Sequence, residues 1–259
     1  MYDITVITIC FNNLGDVLQT CVSVDSQAGG VFEHLVIDGS SNTEIKDYLQ
    51  QTFQPAHRKW ICEPDKGIAD AFNKGIKNAK GDIVVMMNAG DIFYDTECLD
   101  TVRNEFIKNP QIKWLHGKFE MCRGNQQVIL GKPFEKEKLY RGMRSVCHQT
   151  MYLKKELYAK FGAYSSEKIA MDYDYLCRIA NEPYVFTNKI LAKFAPAGIS
   201  SANYLQSLKD NKRVYTQYFG KSIKLRLWQV RLKILYYLLH SPVGNFLYRI
   251  KKGLKMENI

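Results

Sequence analysis

The chain has no Cys-x-x-Cys pair, no low-complexity tract and no internal repeat. It also has no apolar run approaching the roughly 18 residues of a membrane-spanning helix. Its seven cysteines (Cys10, Cys21, Cys62, Cys98, Cys122, Cys147 and Cys177) are scattered and odd in number. That excludes a disulfide framework and a paired-thiol zinc site, and points to reduced thiols in a cytoplasmic protein. The N-terminus runs straight into Tyr2-Asp3-Ile4-Thr5-Val6-Ile7, with no basic stretch ahead of an apolar one, so no secretory signal is expected.

Acidic residues are scarce towards the C-terminus. Residues 205–259 hold twelve Lys/Arg against two Asp/Glu, so this segment carries the whole formal charge of +10 and residues 1–204 balance to zero. No nucleic-acid recognition motif accompanies the charge, so no nucleic-acid partner is expected. The basic residues are threaded with Trp228, Tyr236, Tyr237, Phe246 and Tyr248, while Leu225, Leu232, Leu235 and Leu239 recur near helical spacing. Pro242 and Gly244 divide the segment into two helices. This pattern predicts a peripheral anchor at a membrane surface, with a helical hairpin packed on the body as the alternative.

Ahead of the tail, 259 residues with 46% apolar and 24% charged content are enough for one large globular domain. Ile4 to Cys10 is a run of β-branched and apolar residues, as in a strand covered on both faces. His34–Ile37, Lys59–Cys62 and Asp82–Met87 read as three more strands. Between them, Leu14, Val17, Leu18 and Cys21, then Glu44–Gln50, then Ile68, Phe72 and Ile76, read as helices. Strand, loop and helix therefore alternate, which predicts an α/β fold with a mainly parallel sheet flanked by helices. In such a sheet the loops after the strands share the carboxyl edge, where ligands bind. The second half is less regular. Lys113–His116 and Gln127–Leu130 read as strands, and Lys154–Phe161 and Asp172–Ala180 as helices, with the main domain (1–204) ending near Asn203 and the tail (205–259) following.

Each of the four strand ends carries polar residues. Asp38 can accept hydrogen bonds from a base or ribose, or close an Asx turn. Glu63 and Asp65 follow the third strand. Asp91 leaves a buried strand after Asn88-Ala89-Gly90, and a carboxylate there suits Mg²⁺ or Mn²⁺, which prefer oxygen ligands. Gly90 permits close approach of the backbone to a diphosphate. Further along, Asp172 and Asp174 lie two apart on a helix and face different directions. One faces the cleft as a base; the other caps the helix or pairs with Arg178. His148 is a candidate ligand for diphosphate, metal or acceptor, with Gln149 beside it.

Taken in order, these segments resemble family 2 of the inverting glycosyltransferases, with its A-type nucleotide-sugar fold. Thr5 to Asn12 resembles the family's opening strand, and Val36-Ile37-Asp38-Gly39-Ser40-Ser41 its uracil-contacting loop. Asp65-Lys66-Gly67 with Asn73-Lys74-Gly75 resembles the Asp-x-Gly…Asn-x-Gly helix beside the nucleotide. Asn88-Ala89-Gly90-Asp91 stands where the family has its Asp-x-Asp metal motif, and keeps a single carboxylate. His148-Gln149 and Met171-Asp172-Tyr173-Asp174 resemble the acceptor-side motifs. The Gln-x-x-Arg-Trp motif of processive synthases is missing, which argues for transfer of a single sugar.

The resemblance implies nucleotide contacts from Thr8, Phe11, Asn12, Asp38, Glu63, Asp65, Lys66, Asn73, Ala89 and Gly90. It implies a divalent cation, Mn²⁺ or Mg²⁺, on Asp91, and Asp172 as general base. His148, Gln149 and Asp174 fall on the acceptor or diphosphate side. The implied reaction is inverting transfer from a nucleotide-diphosphate sugar, by default a UDP-sugar. The acceptor is a saccharide or lipid-linked saccharide of surface-polysaccharide synthesis, at the cytoplasmic face of the inner membrane. A sugar nucleotidyltransferase would need a Gly-rich, Lys/Arg-bearing loop after the first strand, where Phe11-Asn12-Asn13-Leu14-Gly15 has none. A non-catalytic nucleotide-sugar or membrane-binding module would need no base.

Overall fold

The computed structural model describes residues 2–123, 126–165, 170–193, 203–242 and 244. The first half alternates as expected: β1 (Ile4–Cys10), α1 (Leu14–Asp25), β2 (Glu33–Asp38), α2 (Glu44–Gln51), β3 (Arg58–Cys62), α3 (Ile68–Asn78) and β4 (Ile83–Met86). These strands pair in the order β3-β2-β1-β4, all parallel, with Cys10 opposite Asp38, Asp38 opposite Cys62 and Ile7 opposite Met86. Four carboxyl ends therefore finish on one edge. The strands form because their side chains are buried on both faces; β2 and β4 have no exposed position. Helix α3 presses Phe72 and Ile76 into the core, and Gly75 lets its backbone touch β1, since a Cβ there would sit 2.5 Å from Ile7 Cγ2.

The second half keeps the expected strands and helices with shifted bounds and adds strands that the sequence did not mark. After β5 (Ile92–Phe93) and α4 (Cys98–Lys108) come β6 (Trp114–Arg123) and β7 (Gln126–Leu130) as an antiparallel pair. The strand β8 (Tyr152–Lys154) precedes α5 (Glu156–Phe161), so the helix expected from Lys154 starts later. Then follow α6 (Met171–Arg178) and β9 (Tyr184–Lys193). The short β8 joins the parallel block to β6 through antiparallel pairs on both sides, and β9 runs parallel to β6. Among the described residues the result is one nine-stranded sheet, parallel in its first half and mixed in its second. Short β5 and β8 carry too few residues for a period-2 pattern, and β9 is broken by polar Thr187, Asn188 and Lys189.

Two helices follow, α7 (Tyr204–Phe219) and α8 (Ile223–Leu239). Val214 of α7 is buried in the main core cluster with Tyr215, Tyr218 and Phe219 packed against it. The segment after Gly244, expected to form a second tail helix, lies outside the described residues.

Two fully buried histidines make the fold sensitive to acid. His34 accepts from Arg58 Nε at Nδ1 (3.2 Å) and faces the Thr8 hydroxyl through Nε2 (2.9 Å), while Arg58 pairs with Asp25 at 2.6 Å. Burial first, then the Arg58 charge, pushes His34 well below the usual imidazole range. His116 stacks among Trp114, Tyr184 and Phe186, and neither ring nitrogen finds a hydrogen-bond partner among the described residues. Burial takes it down to about 4 from 6.5. Both groups stay neutral in the fold and gain protons on unfolding. Their contribution is therefore intact above pH 6.5 and is lost as pH falls toward the folded values. His116→Phe removes one of them. Denaturant titrations should show a shallower loss of stability on acidification, by about 1.4 kcal/mol per pH unit. An unchanged slope would mean that His116 takes up its proton in place.

Candidate active site

The loop after β1 turns at Asn12, a non-glycine residue in the left-handed region (φ 53°). Its side chain explains why the conformation holds: Oδ1 accepts from the Ser41 and Asn42 amides (3.0 and 3.3 Å), and Nδ2 donates to Ser41 Oγ (2.9 Å). Asn12 thus fastens the β1 loop to the β2 loop. Phe11 beside it is 63% exposed, a free aromatic face at the rim. Asp38 is buried, and its Oδ1 accepts from the Ser40 amide at 3.0 Å. From α3, Lys74 Nζ gathers Asp65 (2.6 Å) and Glu63 (3.2 Å) of the β3 loop and Asp70 (3.5 Å) of its own helix. Desolvation is the largest single influence and works against its charge, but Asp65 and Glu63, joined by Asp70, together outweigh it and hold the ammonium above its ordinary range. Asp65 also leans on Gly39, where a Cβ would meet its Oδ2 at 2.0 Å. Lys66 lies exposed on the same loop, its amide donating to Asp70 Oδ2 at 3.0 Å.

After β4 the chain makes a tight turn, Asn88-Ala89-Gly90-Asp91. The Asp91 amide donates to the Asn88 carbonyl at 2.9 Å, and Gly90 takes φ 94°. Thr20 of α1 steadies this turn, its hydroxyl accepting from the Gly90 amide (2.9 Å) and donating to the Asp91 carbonyl (2.8 Å). Asp91 is buried, and Gln149 Nε2 donates to its Oδ2 at 2.7 Å. Gln149 is itself fixed by the Cys147 thiol, which donates to Oε1 at 2.6 Å.

His148 joins this turn to α6. Its Nε2 lies 3.2 Å from Asn88 Nδ2, and its Nδ1 lies 3.1 Å from Asp172 Oδ2. With Nε2 accepting from the amide, Nδ1 carries the proton that faces Asp172. Burial pushes the imidazole down, but the Asp172 carboxylate, with Asp91 behind it, outweighs burial and the net shift is upward. Asp172 Oδ1 and Asn88 Oδ1 are both buried with no hydrogen-bond partner among the described residues. Orphaned acceptors in a cleft are waiting for a donor or a cation.

Three expected site residues make contacts within the fold. Thr8 is fully buried with its hydroxyl against His34, because its position on β1 faces the sheet's interior layer rather than the edge. Asn73 clamps the Tyr164 backbone in both directions, Nδ2 to the carbonyl (2.9 Å) and Oδ1 from the amide (2.8 Å). Asp174 is turned away from Asp172: Tyr218 of α7 donates to it at 2.8 Å and Arg178 pairs with it at 2.9 Å. The pairing of Asp174 with Arg178 was one of the two arrangements open from the sequence. Thr20 and Cys147 had no sequence signal, being a lone hydroxyl and a lone thiol in ordinary contexts.

Among the described residues no cluster of three or more His, Cys, Asp or Glu forms a ready-made metal site. The donor set nonetheless suits a hard cation shared with a substrate: one carboxylate, Asp91, and the orphaned oxygen of Asn88. Mg²⁺ commonly sits on one or two carboxylates and completes its shell from phosphates.

A sheet of this topology with polar loops gathered on one carboxyl edge is the architecture of nucleotide-binding α/β enzymes. Residues 5–158 match the family described as "Glycosyl transferase family 2". An uncharacterized glycosyltransferase of Mycobacterium tuberculosis is 33% identical over 204 residues, spanning 76% of this chain and 77% of that protein. Among solved structures, the mannosyltransferase PcManGT from Pyrobaculum calidifontis, in complex with GDP-Man and Mn²⁺, superposes with TM-score 0.63 at 14% identity. That match covers 100% of this chain and 79% of the other. TarS residues 1–349 from S. aureus, in complex with UDP, gives TM-score 0.60 at 15% identity, covering 98% and 75%. The chain belongs to glycosyl transferase family 2 and is a glycosyltransferase.

Proposed function

We propose that the chain moves one sugar from a nucleotide-diphosphate sugar, by default a UDP-sugar, to a hydroxyl of a saccharide acceptor, with inversion at the anomeric carbon. The observation that carries this reading is the bridge Asn88–His148–Asp172. It sets a carboxylate with an unspent oxygen beside the turn that bears Asp91. Phe11 and Asp38 lie on the base and ribose side, with Glu63, Asp65 and Lys66 on the neighbouring loop. Ala89, Gly90 and Asp91 face the diphosphate. Asp172 accepts the proton of the acceptor hydroxyl as its oxygen bonds to the anomeric carbon. The bond from that carbon to the diphosphate oxygen breaks, and its electron pair leaves with the nucleotide. His148 holds Asp172 in register throughout.

Asp91 and Asn88 would hold a Mn²⁺ or Mg²⁺ ion, which supplies positive charge against the departing diphosphate. Complexes of the structural neighbours with UDP and with GDP-mannose and Mn²⁺ support both a nucleotide-sugar donor and a cation. A lipid-linked saccharide of surface-polysaccharide synthesis is the acceptor class that suits this reading.

Purified protein offered a panel of nucleotide-sugars, with Mn²⁺, Mg²⁺ or chelator, should release nucleotide from one donor in a metal-dependent way. Asp91→Ala should lower that release about 100-fold. Release that survives chelation would remove the cation from the scheme. A panel with neither binding nor release would overturn the nucleotide-sugar reading.

A further inference from the structure

We propose that the outward face of α8 lies in the headgroup–acyl boundary of an anionic lipid bilayer. The helix has already used one apolar face on the protein. Leu225, Gln229 and Leu232 are buried, and Gln229 Nε2 donates to the Leu208 carbonyl of α7 at 2.6 Å. Trp228 packs edge-on to Tyr140, with the Arg141 and Arg144 guanidiniums over its ring at 5.2 and 4.9 Å. The opposite face carries a second apolar stripe: Ile223, Leu227, Val230, Ile234, Tyr237 and Leu238, spaced by threes and fours along 3.6-residue turns. Ile223 is 75% exposed, Leu227 66% and Ile234 62%. A continuous exposed stripe of this kind marks a contact surface.

Its rims identify the partner. Lys224 and Arg231 flank the stripe on one side, with the Arg231 guanidinium over the Trp228 ring at 5.2 Å, and Arg226 and Lys233 flank it on the other; all four are exposed. The helix has no acidic residue, and none of the four forms an ion pair among the described residues. Long basic side chains beside an apolar stripe can lay their stems on acyl chains and lift their charges to headgroups. A second copy of the chain would oppose like-charged rims, so charge complementarity favours an anionic lipid surface over self-association. No described helix is long and apolar enough to cross a membrane, and α8 is read as lying in its surface.

The seat is linked by packing to the helix that bears Asp172. α8 packs on α7, and Tyr218 of α7 holds Asp174 of α6, the helix that also carries Asp172. This inference does not depend on the donor or on the base, because vesicle binding is read without turnover.

The full chain is sedimented with vesicles of phosphatidylcholine alone, or with about 30 mol% phosphatidylglycerol, at low and high salt. The expected result is at least about tenfold stronger partitioning onto the anionic vesicles, weakened by salt. The pair Leu227→Glu with Ile234→Glu should lose about tenfold or more on both vesicle types, with unchanged melting and nucleotide release. Arg226→Gln with Lys233→Gln should weaken the anionic preference while keeping the residual neutral binding. Equal partitioning of wild type and the Leu227/Ile234 variant would overturn the proposal. So would absence of vesicle binding together with a wild-type dimer that this variant splits, which would make the face an interface between copies.

Discussion

Asp172→Asn is expected to lower sugar transfer about 10³-fold while leaving nucleotide binding within a factor of about two. The substitution keeps the size of the side chain and a hydrogen-bonding oxygen near His148, and removes only the capacity to take a proton. In the structure one Asp172 oxygen is engaged, 3.1 Å from His148 Nδ1, while the other is buried with no partner among the described residues. The unspent oxygen is the one that would meet the acceptor hydroxyl. Initial rates with a saturating donor, set beside nucleotide affinity by calorimetry, check the prediction. A variant that keeps most of its rate would assign the proton to another group. A variant that loses nucleotide affinity in step with rate would make Asp172 a binding residue. His148→Gln is the companion measurement: with Asp172 intact but no longer held, rate should fall by a smaller factor, about tenfold.

The second large effect falls on stability. Asp174→Ala is expected to cost about 3–5 kcal/mol, because it leaves the Arg178 guanidinium in a mostly buried position without its counter-charge. Arg178 also donates to the carbonyls of Phe161 and Ala163, at 2.8 and 2.9 Å, so it cannot swing to solvent without giving up the end of α5. The lost carboxylate further frees Tyr218, the polar tie between α6 and α7. Asp174→Asn retains an acceptor for Tyr218 and should cost less than the alanine variant. Urea unfolding of both variants measures the difference, and a cost below about 1 kcal/mol for alanine would show the pair to be dispensable. Any fall in activity should follow the fraction unfolded rather than a change in donor affinity, since Asp174 is turned away from the Asn88–His148–Asp172 bridge.

These expectations rest unequally on sequence and on three-dimensional placement. The parallel block was legible because each of its strands is a local run of apolar and β-branched residues closed by a polar loop, and a right-handed crossover leaves little choice of topology. From that alone it follows that Asp38, the Glu63–Asp65 loop and Asp91 share an edge. The chain beyond Asp91 was read less well. β8 contributes three residues and β5 two, too short for periodicity, and β9 carries polar positions opposite a register shift in β6. Their strand character comes from neighbours remote in the chain.

The same division holds within the site. Residue types marked Asp91, His148 and the Asp172–Asp174 pair as candidates through their places at strand and helix ends, and the ordered resemblance to the family, rather than any one residue, implied Asp172 as the base. They could not show that Thr8 faces His34, that Asn73 clamps the Tyr164 backbone, or that Gln149 occupies one oxygen of Asp91. The sequence likewise marked the tail as basic and aromatic. It did not separate the face of α8 that packs on α7 from the face that remains bare: Leu225 and Leu232 are buried, whereas Leu235 and Leu239, part of the same leucine series, are exposed. Periodicity records how often a side chain is covered along one element. Which of several chemically equal side chains meets which partner is a matter of distance through space, and only the packed chain sets it.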